Sequence, residues 1–290
     1  MRIFLPLAIA TMMLSLGLGL TVADFTRLLR HPKAFVCGFT GQLLLAPLAT
    51  FALITIFGLS GKIAVGFMLL SACPGGGVSN IITKFGQGDV ALSVSLTSVS
   101  SLLSMLTIPL VLNWSIGYFM GDIAFVFQQS AIVMTTFIIC AGPILLGMFI
   151  RGISAEKAEN WGAILTKVSA GFLLIIIIAA VTVSWPLFIE NLWFLGGMLT
   201  ALGLTLATIG YILPAALGLG SRCARTISIE VGIQNGALGI SIAALLSNGA
   251  SEIGDYALAS ALYGVMMYFF IIPLAYIFRI TAVRESGVSD

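Results

Sequence analysis

Long apolar runs, separated by short polar segments, follow one another along almost the whole chain. A helix that crosses a bilayer needs about 20 consecutive, mainly apolar residues. We interpret nine runs as membrane spans, named A to I, at about 3–22, 34–57, 63–85, 90–112, 123–150, 164–183, 192–217, 226–246 and 256–278. The segments between them are too short to form a soluble domain. The pattern predicts an all-α polytopic membrane protein in which residues 1–290 form a single domain.

The composition agrees with a protein whose solvent is the lipid bilayer. Hydrophobic residues make up 59% of the 290 residues and charged residues 8%, whereas a soluble domain carries about 25% charged residues. These values exclude a soluble enzyme, a nucleic-acid-binding protein and a disordered chain. Three of the 4 cysteines lie inside apolar runs, which indicates unpaired packing residues. The single histidine, His31, gives no basis for a histidine metal site.

Lysine and arginine residues are distributed unequally over the two sides of the predicted bundle. Of the 13, only Arg2 and Lys62 fall on one side, and all the others fall in loops or span ends on the other side. Because cytoplasmic loops are enriched in positive charge, we expect the N-terminus outside and the tail, residues 281–290, in the cytoplasm. The expected location is the inner membrane of a bacterium. A signal peptide over residues 1–22 is less favoured, because the apolar run is long and lacks a clear cleavage site.

Two spans contain residues that interrupt a helix near its middle. Span C carries Cys-Pro-Gly-Gly-Gly at residues 73–77, and span H carries two glycines and two amides at residues 230–236. Proline removes a backbone donor, and each glycine costs about 1 kcal/mol of helix stability relative to alanine. A packed kink would explain either span alone. Together the two interruptions occupy matching positions of an inverted repeat, about 1–117 and 118–280, which is typical of the binding site of a secondary transporter.

Glu230 is the only acidic residue that the pattern places well inside a span, and no lysine or arginine is predicted at the same depth. An unpaired charge there costs at least about 2.5–3.5 kcal/mol. We therefore expect Glu230 to bind a cation or to be protonated. The simplest protonated form is a neutral carboxylic acid that is hydrogen-bonded within the bundle. A site with only oxygen ligands and one carboxylate favours sodium over calcium or zinc. The alternative is that the serine and threonine hydroxyls bind no ion and only join helices by hydrogen bonds. The neutral oxygens expected near Glu230 belong to Gln42, Ser79, Asn80, Ser93, Ser95, Thr97 and Gln234.

Three segments resemble the bile acid:sodium symporter family: CPGGGVSN at residues 73–80, GDVALSVSLTSVSS at 88–101 and TISIEVGIQNGALG at 226–239. The resemblance implies a core domain with two crossing discontinuous helices, next to a panel domain. It implies a first sodium site at Ser79, Asn80, Ser93, Thr97 and Glu230. It implies a second sodium site at Gln42, Glu230, Val231, Ile233 and Gln234. The implied organic-anion pocket contains Gly76, Gly77, Val78 and Asn235, with Met267 and Tyr268 where some bacterial relatives have a His-Asn pair.

These features predict a sodium-coupled symporter of a small organic anion, such as a bile acid, a pantoate-like hydroxy acid or a keto acid, that works by alternating access. Sodium is the expected coupling ion, and neither a cofactor nor a nucleic acid is expected. An enzyme is not expected, because no nucleophile–base pair or metal cluster is visible at membrane depth. A proton-linked antiporter or efflux carrier with Glu230 as the proton carrier is the alternative. The sequence leaves the oligomeric state open.

Overall fold

The structure, a computed structural model, describes residues 4–21, 26, 32–121, 141–183, 185–246 and 250–286. The regular secondary structure of these residues is entirely helical. The helices are α1 (Phe4–Gly19), α2 (Pro32–Phe57), α3 (Gly61–Ala72), α4 (Gly77–Phe85), α5 (Val90–Met120), α6 (Ala141–Ile153), α7 (Ala155–Val183), α8 (Trp185–Ala216), α9 (Ser221–Gly232), α10 (Gly236–Leu246) and α11 (Ala250–Ser286).

The predicted class, an all-α polytopic membrane protein, is confirmed. Among the described residues, 5 helices are long and apolar enough to cross a membrane, and the bent pair α3–α4 brings the number to 6. Two shorter apolar helices, Ala10–Gly19 and Ala141–Ile153, belong to α1 and α6. The first part of span E lies outside the described residues, so the count of nine spans stays a prediction.

Several helices are longer than the predicted spans. α5 reaches Met120, where the prediction ended at 112, and α7 begins at Ala155 rather than at 164. Hydropathy marks only the apolar middle of a helix, whereas the backbone hydrogen bonds continue through its polar ends. The prediction that Arg222 and Arg225 lie in a loop is wrong, because both belong to the first turns of α9.

α2 contains a π-helical turn, Gly41–Leu45, just before Pro47. Proline has no backbone N–H, so the regular bond to the residue four positions earlier is lost here. The N–H of Ala46, the residue before the proline, donates to the carbonyl of Gly41 five residues earlier, which closes the wider turn. This turn contains Gln42, of which only 3% is exposed. The π turn therefore helps to hold an amide inside an otherwise apolar span.

Both predicted interruptions are present, but they differ in shape. α3 and α4 are separated by residues 73–76 and are bent by 61°. α9 and α10 are separated by residues 233–235 but continue as one span, Ser221–Ala244. The first break contains Pro74, which cannot donate a helical hydrogen bond, and the second contains no proline. Proline therefore accounts for the sharper bend of the first break.

The half-helices of the two breaks pack in pairs, because α9 contacts α4 and α10 contacts α3. α5 packs along α3, α4 and α9, and α8 and α11 also pack against α9. α1 packs mainly on α7, and it meets α6 where the backbones at Gly17 and Gly147 approach too closely for a Cβ atom. The two breaks thus lie next to each other within the described bundle, and the crossing of the two helices stays a prediction. The division into two inverted repeats, and into core and panel, stays a prediction.

Candidate functional site

A buried carboxylate lies where the two breaks meet. Glu230 is in the last turn of α9, and 2% of the residue is exposed. Thr97 donates a hydrogen bond from Oγ1 to Glu230 Oε1, and Ser93 donates from Oγ to Glu230 Oε2 at 2.9 Å. Ser93 and Thr97 are four residues apart on α5, so they share one face of that helix. α5 therefore holds both oxygens of the carboxylate.

α4 supplies further polar groups around these hydroxyls. Ser79 Oγ lies 3.3 Å from Thr97 Oγ1, and Asn80 Oδ1 lies 2.8 Å from Ser93 Oγ, whose single proton it shares with Glu230 Oε2. Thr83 also donates to Ser93 Oγ, at 3.3 Å. Sequence reasoning missed Thr83, although its spacing of four residues from Ser79 puts both on one face of α4. The structure brings together all the residues predicted for the first sodium site.

The backbone of the first break touches the carboxylate. A Cβ atom at Gly75 would lie 2.6 Å from Glu230 Oε1, which is closer than side-chain carbons approach other atoms. The N–H of Asn235 donates to the carbonyl of Pro74 at 2.9 Å, so a backbone hydrogen bond joins one break to the other. Glycine is therefore required after Pro74, because it leaves the space that Glu230 occupies.

A second group of polar atoms surrounds Gln42. Its Nε2 donates to Gln234 Oε1 and to the carbonyl of Cys73, both at 2.9 Å. Gln234 Nε2 donates to the carbonyl of Val231 at 3.1 Å, and Ile233 ends α9 in an extended conformation. Gln42 Oε1 is buried and has no hydrogen-bond partner within the described part of the chain. An unpaired buried acceptor costs about 1–3 kcal/mol, and a hard cation, which prefers oxygen ligands, would satisfy it.

The N-terminus of α4 borders open space. A Cβ atom at the exposed Gly77 would meet no atom within 4 Å, and Gly76 precedes the helix without a side-chain cap hydrogen bond. Asn235 Nδ2 lies 4.0 Å from the position of a Cβ at Gly76, while Asn235 Oδ1 accepts the N–H of Leu238 at 3.1 Å. Val78, the next residue, is half-buried. Free N–H groups at a helix N-terminus favour an anion, so this surface has the character expected of an anion pocket.

Met267 and Tyr268 are neighbours on α11. Met267 is buried in a large apolar cluster, and the half-buried Tyr268 packs against the same cluster. The described hydrogen bonds between the breaks do not involve either residue. Their place in a substrate pocket stays a prediction.

One buried cation was not expected from the sequence. Arg225 is 5% exposed and lies five residues before Glu230 on α9. Its Nη1 donates to Glu285 Oε2 at 3.2 Å, and Ser221 Oγ donates to the same oxygen at 2.7 Å. The positive charge is therefore neutralised by the end of α11 and leaves the carboxylate of Glu230 to its hydroxyl partners.

Two interrupted helices whose breaks contact each other, beside a buried carboxylate, are characteristic of secondary transporters, which bind ions and substrates near the middle of the membrane. Residues 6–190 match the model of the Sodium Bile acid symporter family. The chain belongs to this family, and the prediction made from the three motifs is confirmed.

Three relatives are similar over most of this chain. A probable sodium/metabolite cotransporter of the chloroplast from Oryza sativa subsp. japonica is 32% identical over 236 residues, which cover 80% of this chain and 54% of that protein. The ileal sodium/bile acid cotransporter of Oryctolagus cuniculus is 31% identical over 238 residues, which cover 80% and 66%. The uncharacterized sodium-dependent transporter YocS of Bacillus subtilis (strain 168) is 29% identical over 249 residues, which cover 83% and 73%. The chain thus spans about half the length of the plant relative and about two thirds of the animal one.

Proposed function

We propose that this protein is a sodium-coupled symporter that carries a small organic anion across the membrane. The observation that carries the proposal is the Glu230 site, a carboxylate with 2% exposure whose described hydrogen bonds come from the hydroxyls of Ser93 and Thr97. A buried charge without a basic partner needs a cation or a proton. The relatives named for the cotransport of sodium with a bile acid or a metabolite support sodium as that cation.

Two sodium ions are proposed to share Glu230. The first binds between Glu230 and the hydroxyl and amide oxygens of α4 and α5. The second binds between Gln42 and Gln234, with Glu230 and the carbonyl oxygens of Val231 and Ile233. The unpaired, buried Gln42 Oε1 supports the second site. Because the ligands come from α2, α4, α5, α9 and the second break, bound sodium stabilises the contact between the two breaks.

Charge balance determines the sign of the substrate. Two sodium ions and one carboxylate leave one unit of positive charge in excess, and even at an effective dielectric constant of about 20 a unit charge pair at ~4 Å interacts by ~4 kcal/mol. An organic monoanion at Gly76, Gly77, Val78 and Asn235 would balance this charge. Ser79 and Asn80 directly follow these residues in the first turn of α4. The anion and the first sodium ion would therefore both bind to this half-helix. Sodium and substrate should therefore bind with positive, reciprocal coupling.

The proposal includes an orientation. Basic residues from separate stretches of the chain meet at one end of the described bundle, where Arg222 Nε reaches the carbonyl of Gly88 at 3.4 Å and the guanidinium of Arg279 lies 5.4 Å from the ring centre of Phe85. We assign this end to the cytoplasm of a bacterial inner membrane. Movement of a core against a panel would then expose the crossing to each side in turn.

The proposal is tested with purified protein in proteoliposomes. A panel of organic acids is offered under an inward sodium gradient, with choline as the control cation. We expect at least one monoanion to be taken up only with sodium, and we expect Glu230→Gln to abolish that uptake. Glu190→Gln, at an exposed position of α8, is the matched control and should transport normally. Unchanged sodium-driven uptake by Glu230→Gln, or equally tight binding of the neutral amide of a transported acid, would contradict the proposal.

Proton coupling is the second candidate function. The hydroxyls of Ser93 and Thr97 can accept as well as donate, so the same groups would also hold a protonated Glu230. The two candidates differ in what drives uptake. Under the sodium proposal, uptake at fixed pH rises with sodium and a pH gradient alone gives none. Uptake that a pH gradient drives in choline would support the proton carrier instead.

A further inference from the structure

The turn between α4 and α5 rests directly on the first turns of α9. Thr226, which is fully buried, accepts the N–H of Asp89 on its Oγ1 at 2.6 Å and donates to the carbonyl of Arg222 at 2.9 Å. A Cβ atom at Gly88 would lie 2.7 Å from Thr226 Oγ1 and 2.7 Å from Thr83 Cγ2. The turn before α5 is thus packed so closely on α9 that even a Cβ atom at Gly88 would not fit.

The Asp89–Thr226 contact lies one helical turn before the Ser93–Glu230 contact. Asp89, directly before α5, precedes Ser93 by four residues, and Thr226 precedes Glu230 by four residues on α9. The Asp89–Thr226 pair is joined at 2.6 Å and the Ser93–Glu230 pair at 2.9 Å. Four residues are about one helical turn, or ~6 Å of rise. The two hydrogen bonds are therefore successive links between parallel stretches of α5 and α9.

Asp89 connects the first link to the second within α5. Its Oδ1 accepts the N–H of Leu92 at 3.1 Å, and its carbonyl accepts the N–H of Ser93 at 3.0 Å. Asp89 is therefore the N-cap of α5, and a movement of its backbone displaces the turn that carries Ser93. Thr226 is joined to Glu230 through the regular backbone of α9. A change of register at Asp89–Thr226 thus changes the distance between the Glu230 carboxylate and its hydroxyl partners.

We propose that Thr226 is a positioning residue for the first sodium site: its hydroxyl sets the register of α5 against α9 and thereby the size of the oxygen cage around Glu230. The inference rests on the proposed function. Thr226 does not touch the ion, because it lies one turn before Glu230 and its hydroxyl is bonded to backbone groups of Asp89 and Arg222. A residue that sets the size of a cage affects which ion fits, so Thr226 controls the preference for sodium over lithium as well as the affinity for sodium.

The test measures sodium binding without transport. Sodium and, separately, lithium are titrated against purified protein in detergent at constant ionic strength, and the rise in thermal unfolding temperature reports binding. Thr226→Val keeps the shape but leaves the N–H of Asp89 without its acceptor. We expect the half-saturating sodium concentration to rise on the order of tenfold, with a changed ratio of lithium to sodium affinity. Thr226→Ser, which keeps the hydroxyl, should restore both values.

Two further variants make the result decisive. Thr200→Val on α8 is the matched control, because Thr200 Oγ1 also donates to the carbonyl four residues earlier, at 2.8 Å, and should leave sodium binding unchanged. Gly88→Ala pushes the turn away from Thr226 and should shift sodium affinity and ion preference in the same way as Thr226→Val. If Thr226→Val does not accumulate in the membrane, Gly88→Ala by itself tests the inference. The inference is overturned if Gly88→Ala or Thr226→Val binds both ions like the wild type, if Thr200→Val has the same effect, or if Thr226→Ser fails to restore binding. If the wild type shows no stabilisation by sodium, the proposed function itself fails.

Discussion

The close approach of Gly75 to Glu230 gives a sharp prediction about sodium binding. Gly75→Ala adds one methyl group to the first break, in a backbone conformation outside the left-handed region, so the backbone itself accepts alanine. The new Cβ would lie 2.6 Å from Glu230 Oε1 and 3.2 Å from Glu230 Cδ, whereas ordinary contacts begin at 3.4 Å. The carboxylate must therefore retreat by about 0.8 Å.

The size of the effect follows from what this retreat disrupts. Oε1 accepts the hydroxyl of Thr97 and is a proposed sodium ligand. A hydrogen bond to a charged group contributes about 1.5–3 kcal/mol, and each 1.4 kcal/mol corresponds to a tenfold change in affinity. We expect Gly75→Ala to raise the half-saturating sodium concentration roughly ten- to hundredfold.

The assay is sodium-dependent thermal stabilisation of the purified protein in the absence of substrate. Gly77→Ala is the matched control, because it lies two residues further along the same segment and its Cβ would meet no atom within 4 Å. This control should bind sodium like the wild type and should weaken only the binding of the organic anion. Wild-type sodium affinity in Gly75→Ala, or equal losses of sodium affinity in both variants, would refute the reasoning.

Two other variants test the surroundings of the site. Thr97→Val removes the hydroxyl that holds Glu230 and should raise the sodium concentration needed for uptake about tenfold or more at normal protein abundance. Ser100→Ala, about one turn further along α5, should not, because Ser100 Oγ donates to a backbone carbonyl at 3.2 Å. If Thr97→Val lowers only the protein abundance, the hydroxyl has a structural role. Tyr263→Phe removes the hydrogen bond from the buried Tyr263 hydroxyl to the carbonyl of Gly232, at 2.7 Å. The free energy of unfolding should fall by about 1–3 kcal/mol, and thermal unfolding should show a lower midpoint. An unchanged midpoint would contradict the assignment of this bond.

The features that the sequence predicted correctly depend on local chemistry. Pro74 together with three adjoining glycines disfavours a continuous helix, whereas the isolated Pro109 and Pro214 lie inside helices. Glu230 is conspicuous because it is the only acidic residue that the pattern places well inside a span. Features that depend on packing were not predictable. The burial of Arg225 requires Glu285, which is distant in the sequence, to lie beside it, and the contact of Thr226 with the turn before α5 depends on how that turn packs against α9.

The most buried candidate span is also the least apolar of the five, which has a consequence for biosynthesis. Ser221–Ala244 carries Glu230 and Arg225, and a charge at the bilayer centre costs about 2.5–3.5 kcal/mol on insertion scales. Because the chain is made from its N-terminus, the hydroxyls of α5 are already in the membrane when Glu230 arrives. Glu285, the partner of Arg225, lies 60 residues further along the chain and is therefore made later. The ion pair that joins α9 to α11 can therefore form only after α11 has been synthesised, so α9 is inserted before the charge of Arg225 has found this partner.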